Sequence, residues 1–238
     1  MLLYTNGCSW TYGGSLDKHF IVNDRLDDEK RLSLVWPHHL GNLLNAKKVT
    51  NLSAGCGSNS RMIRTTLDYL RTLSSQERED TIAVMQFTEW SRFELYNQLD
   101  ENNDYENIQE RWLKCKVDTA ILSGSHMQAP DNIDDIVDLV NRKIILETPI
   151  VWIYQTLGCM YALKGIFETY GVKKYYFWQL GQGWNYWPDK YKTEIYENFN
   201  IIDKDKDWEY ERVDKIKDTH PSLNGHKELA NIIYNKIA

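Results

Sequence analysis

Residues 81–87, TIAVMQF, form a continuous apolar run of strand length. A run of that kind needs cover on both faces, and it belongs inside a parallel sheet with helices above and below. The rest of the chain supplies the partners. LLYTN (2–6), KKVTNLS (47–53) and VKKYYFW (172–178) are further strand candidates. After the second comes RMIRTTLDYLRTL, in which Met62, Ile63, Leu67, Leu70 and Leu73 recur at helical spacing. Thr148 and Pro149 suit the N-cap and first position of a long buried helix, and Gly171 suits its stop. Ser222 suits the N-cap of a last helix, LNGHKELANIIYNKI. Strands alternating with helices predict an α/β protein: a three-layer α/β/α sandwich with a central, mostly parallel sheet. With no internal repeat and no low-complexity linker, 1–238 reads as a single domain. From 98 to 131 the sequence turns rich in Asn, Asp and Gln, which reads as a polar insertion or long irregular stretch.

Charge and cysteine usage narrow the function classes. A net charge of −6, with the basic residues spread out, argues against nucleic acid as a partner. Cys8, Cys56, Cys115 and Cys159 lie far apart with no CxxC pair, which disfavours a zinc ribbon or a disulfide framework. They read as reduced thiols of an intracellular protein. No signal peptide is expected, and no apolar run reaches the roughly 20 residues that a membrane span needs.

In an open α/β sheet, ligands bind beyond the C-terminal strand ends. Three suggestive segments fall there: GCSW after the first strand, AGCGSNS after the second and QFTEWSR after the third. A fourth, DTHPSLNGH (218–226), leads into the last helix. Ser9 needs a base to become a nucleophile. His220 is the best candidate, stiffened by Pro221 and preceded by Asp218, which could orient its imidazole. Taken singly, Ser9 reads first as a helix cap and His220 as a loop histidine. Cys8 reads as a buried small thiol rather than a rival nucleophile. His38 and His39 are adjacent, so on a helix or strand they point apart, and no metal site is expected there. GWNYWPDKY (183–191) is either an aromatic lip over the site or the packing of a long loop.

The blocks NGCSWTYG, WP (36–37), NLSAGCGSN (51–59) and DTHPSLNGHKELA (218–230) together resemble the ordered blocks of the SGNH (GDSL-like) hydrolases. The likeness is closest to short versions encoded by tailed bacteriophages, and its blocks span nearly the whole chain. The resemblance implies a flavodoxin-like SGNH hydrolase fold and cleavage of an ester through an acyl-enzyme, with no metal and no cofactor. The substrate it implies is a small-molecule or carbohydrate ester, a carbohydrate O-acyl or short-chain acyl group. The place it implies is the host-cell cytoplasm or the virion. Ser9 matches the nucleophile, with its own N–H in the oxyanion hole; His220 matches the base and Asp218 the acid. Gly57 matches the glycine supplying the next oxyanion N–H, with Cys56 an alternative by one residue of register.

Two departures follow. The family's aspartate stands three residues before its histidine, where this chain has Lys217. Its third block reads Gly-x-Asn-Asp, where this chain has QFTE, so Thr88 stands at the asparagine's place. Thr88 or Asn59 then has to complete the oxyanion hole; losing one such donor costs about 100-fold in rate. The alternative is a catalytically weakened SGNH-fold protein that binds glycans or serves as a structural phage component. Nucleotide binding is a remote third reading: GCGSNS lacks the last glycine of G-x-G-x-x-G and follows the second strand, and no Walker pattern is present.

Overall fold

A computed structural model describes residues 1–14, 16, 28–55, 57–88, 92–96, 112–118, 121–122, 149–179, 184, 187–203, 210–214 and 218–238. Its centre is a four-stranded sheet of β1 (Leu2–Asn6), β2 (Lys48–Asn51), β3 (Thr81–Phe87) and β7 (Lys174–Gln179), in the order β2-β1-β3-β7. All three pairings are parallel. Beyond β7 the chain adds a short bridge: the Phe177 N–H donates to the Asn200 carbonyl and the Ile202 N–H to the Phe177 carbonyl.

The continuous apolar run is covered as its composition demands, with every residue of β3 buried. Successive side chains of a strand alternate between faces, and the core divides accordingly. On one face Tyr4, Ala83, Met85, Phe87 and Phe177 pack against α4 (Asn59–Thr72), α6 (Pro149–Tyr170) and α7 (Asp189–Asn198). On the other, Leu3, Ile82, Val84 and Trp178 pack against α3 (Trp36–Leu43) and α8 (Leu223–Ile237). The protein is therefore a mixed α/β sandwich, helices on both sides of a parallel sheet. Two short helices lie outside these layers, α2 (Asp28–Leu34) and α5 (Ser75–Glu79), the latter opened by a Ser74–Glu77 capping box.

Several expected elements match closely. β1 and β3 run over the expected residues, and α8 begins after Ser222, whose hydroxyl accepts from the Gly225 N–H. α6 starts at Pro149 and ends before Gly171, which adopts a left-handed φ of 78°. Thr148 lies outside the described residues. The stretch read as a polar insertion contains β5 (Trp112–Asp118) and β6 (Ile121–Leu122), which form a three-stranded antiparallel sheet with β4 (Arg92–Tyr96). "Irregular" thus does not describe those two segments, and the remainder of 98–131 lies outside the described residues. In the aromatic segment, Trp184 and Tyr191 belong to the core and Trp187 packs against it. For these three residues packing is the right reading.

The sheet order creates the site's location. From β1 the chain moves outward to β2, then returns to place β3 on the other side of β1. The C-terminal ends of β1 and β3 therefore flank a topological switch point, where connecting loops diverge and leave a crevice.

Candidate active site

Strand β1 ends at Asn6 and hands over within two residues to α1 (Ser9–Tyr12), a helix of four residues. Cys8 stays extended (φ −103°, ψ −158°), and Gly13 stops the helix in the left-handed region at φ 91°. The Gly13 and Gly14 N–H groups both donate to the Ser9 carbonyl, at 2.9 and 2.6 Å. The turn is held from the sheet below. The Asn6 amide accepts from the Gly7 N–H at 2.9 Å and donates to Tyr4 Oη and Thr65 Oγ1 at 2.9 and 2.8 Å, so its whole side chain is engaged. Burial pushes the Tyr4 phenol well above its ordinary pKa, keeping this network neutral. From the end of β2, the Asn51 amide donates to the Thr11 carbonyl at 3.0 Å and accepts from the Ser53 N–H and hydroxyl.

His220 arrives on an antiparallel hairpin, β8 (Arg212–Asp214) with β9 (Asp218–Pro221). The hairpin is tied to α8 through Glu211, which precedes it. The Ser222 hydroxyl donates to the Glu211 carboxylate at 2.6 Å, and the Ser222 N–H donates to the Glu211 carbonyl at 2.9 Å. A Cβ on Gly225 would lie 1.9 Å from that carbonyl oxygen, so only glycine allows the helix to approach so closely.

These supports bring together two side chains 211 positions apart: His220 Nε2 lies 2.8 Å from Ser9 Oγ, a direct hydrogen bond. The Trp10 indole packs beside the His220 ring and edge-on to Tyr210, at centroid distances of 6.1 and 5.5 Å. Asp218 begins β9, but its side chain lies outside the described residues, as does Cys56. Gly57 and Asn59, expected at the oxyanion hole, make hydrogen bonds within the protein. The Gly57 N–H donates to the Ala54 carbonyl at 3.0 Å, and a Cβ there would meet the Gly7 carbonyl at 2.8 Å. The Asn59 amide accepts from the Thr88 N–H at 2.9 Å and donates to the Thr88 carbonyl at 3.3 Å, clamping the end of β3 to the start of α4. Thr88 Oγ1 is different: it is buried and has no hydrogen-bond partner among the described residues.

Other candidates resolve structurally. Cys8 is fully buried. His38 and His39 lie on α3 with their rings edge-to-face at 5.7 Å, and His226 in the first turn of α8 accepts from the Trp36 N–H. Among the described residues no three His, Cys, Asp or Glu side chains cluster to hold a metal ion, and no helix is long and apolar enough to cross a membrane. One residue escaped the sequence reading: Gln86, on β3, whose carboxamide oxygen accepts from the Cys8 N–H and the Thr11 hydroxyl. Its only sequence signal is a polar side chain inside an otherwise apolar strand.

Residues 20–128 match a family of unknown function (DUF6071). No curated protein matches the chain significantly. Among solved structures the chain is similar to one titled "Structure of a putative lipolytic protein of G-D-S-L family from Desulfitobacterium hafniense DCB-2". The TM-score is 0.49 at 12% identity, over 99% of this chain and 98% of that one.

Proposed function

We propose that the protein is a serine ester hydrolase of the SGNH type, built as a single domain over 1–238. The observation that carries this reading is the 2.8 Å hydrogen bond between Ser9 Oγ and His220 Nε2 at the sheet's switch point. A serine hydroxyl is a weak nucleophile until a base within hydrogen-bond reach accepts its proton. Ser9 attacks the ester carbonyl as its proton passes to His220. The tetrahedral intermediate collapses, the alcohol leaves with the proton from His220, and an acyl-enzyme remains. Water, deprotonated by His220, then releases the acid and restores Ser9. Asp218 is the orienting acid, since positions 218 and 220 share one face of an extended strand.

The oxyanion donors this reading favours are the Ser9 N–H and the Thr88 hydroxyl. Ser9 occupies the first position of α1, where the N–H has no acceptor within its own helix. Thr88 offers a buried hydroxyl with no other partner among the described residues. The substrate class is a carbohydrate O-acyl or short-chain acyl ester, and the setting a host-cell cytoplasm or a virion. Hydrolysis of a short-chain aryl ester by the wild-type protein, beside Ser9→Ala, is the test. We expect Ser9→Ala to lose at least 10³-fold in kcat, together with labelling by a fluorophosphonate; equal rates for both proteins would remove Ser9 as nucleophile.

A second reading has its own support. Gly57, one of the expected oxyanion contributors, already uses its N–H within the protein, and Asn59, another, uses its amide oxygen and one of its two N–H groups. That favours a weakened member of the fold that binds glycans, a structural phage component among its forms. It predicts saccharide binding with no labelling of Ser9.

A further inference from the structure

We propose that Gln86 is a positioning residue for Ser9, acting through the Cys8 N–H and the Thr11 hydroxyl; this rests on the reading of Ser9 as nucleophile. Gln86 stands where the third block of the SGNH hydrolases has glycine.

Gln86 is fully buried on the face of β3 that also carries Ile82 and Val84. An apolar residue would suit that face. Its carboxamide oxygen accepts from the Cys8 N–H at 3.4 Å and from the Thr11 hydroxyl, with the Cys8 thiol at 3.6 Å. The Cys8 N–H can only donate, so the oxygen must face it and the amide cannot be turned over. The amide nitrogen is thereby left buried with no partner among the described residues. A buried donor without an acceptor destabilises the fold, and methionine would fill the same space without it. What the residue provides is the oxygen.

That oxygen brackets the nucleophile. Cys8 precedes Ser9 and Thr11 follows it by two, so both ends of the first turn of α1 are fixed to one atom of β3. The backbone is fitted to the arrangement. A Cβ on Gly7 would meet Gln86 Cβ and Oε1 at 2.7 Å and Thr11 Oγ1 at 2.8 Å. Glycine at position 7 is thus required by the side chains at 86 and 11 that crowd it. Asn6 holds the same turn from the opposite face of the sheet through the Gly7 N–H. Asn6 fixes where the strand ends, while Gln86 fixes how the helix leaves it, and so where Ser9 Oγ lies relative to His220.

The test measures fluorophosphonate labelling rates and aryl-ester kcat and KM for wild type, Gln86→Met, Thr11→Val, the double variant and Thr11→Ser. Misplacing a nucleophile by a fraction of an ångström lowers kcat without touching ground-state binding, so each single variant should lose about tenfold or more in kcat and labelling, with KM unchanged. The double variant should be no worse than the poorer single, because both remove the same contact. Thr11→Ser keeps the hydroxyl and should recover most of the rate. Leu229→Ala, a core change on α8, lowers stability alone and should keep the wild-type labelling rate well below its Tm. Should Gln86→Met fail to fold, Thr11→Val carries the comparison. Labelling of Gln86→Met and Thr11→Val within twofold of wild type, or an equal loss in Leu229→Ala, overturns the inference while leaving Ser9 as nucleophile. A wild-type protein that the probe does not label overturns both.

Discussion

Gly14 shows how little room surrounds the candidate nucleophile. A Cβ there would lie 2.9 Å from Ser9 Cβ, 3.0 Å from His220 Nε2 and 3.1 Å from His220 Cδ2. The backbone at 14 is tied by its hydrogen bond to the Ser9 carbonyl, so the imidazole has to move, and Ser9 Cβ with the α1 backbone that carries it. Gly14→Ala should therefore break the Ser9–His220 hydrogen bond and lower Ser9 labelling by about 10–100-fold. Because relieving the contact with Ser9 Cβ also shifts the α1 backbone, the Tm should fall as well; unchanged labelling would show that the ring and alanine fit together. The Ser9–His220 pairing was legible in the sequence because each residue sits in a block placed at an edge of the sheet. Gln86 was not, because its role depends on contacts to Cys8 and Thr11 across 78 and 75 positions that no local pattern records. Asn59, a candidate oxyanion donor from the sequence, ties down the Thr88 backbone with its amide oxygen and one of its two N–H groups, while the Thr88 hydroxyl is engaged with nothing among the described residues.

Among the elements, α8 is the one whose start decides the position of His220. Ser222 caps its first turn by accepting from the Gly225 N–H at 3.1 Å and donates to the Glu211 carboxylate across the hairpin. Ser222→Ala removes both. A lost N-cap costs about 0.5–2 kcal/mol, and we expect a destabilisation at the upper end, read from denaturant unfolding. Ester-hydrolysis kcat should fall with it, since the hairpin carrying His220 loses one of its fastenings to the helix; full stability in Ser222→Ala would assign the cap to water or to neighbouring backbone. Elements of strong period or clear punctuation were readable: β3 by its apolar run, α6 by Pro149 and Gly171, α8 by Ser222. The antiparallel strands β4 to β6 were not. In WLKCKVD charged residues alternate with apolar ones, the pattern of a strand with two unlike faces, but the Asn- and Asp-rich sequence around it outweighed seven residues.

At the scale of the whole molecule, the far edge of the sheet holds a carboxylate that couples stability to pH. Asp203 follows the segment that bridges to β7; it accepts from the Gln179 N–H at 2.9 Å and from the Trp184 indole N–H at 3.0 Å. Trp184 in turn packs on Phe87 at the end of β3 and edge-on to Trp187, so this carboxylate joins the last strand to the aromatic part of the core. Burial pushes its pKa up to about 6, outweighing the Gln179 N–H, the Trp184 indole and its own backbone N–H, which all favour the charged form. The native state therefore binds a proton more tightly than the unfolded chain, whose aspartate titrates at 3.8. Stability from this group is fully present below that lower value and is lost as pH rises through about 6. Unfolding free energy measured by denaturant titration from about pH 4 to pH 7 should carry a falling contribution that Asp203→Asn removes. The asparagine cannot accept both N–H groups, so the variant should also be the less stable protein at the acid end. An identical pH dependence in both proteins would mean that the Asp203 carboxylate keeps an ordinary pKa in the folded state.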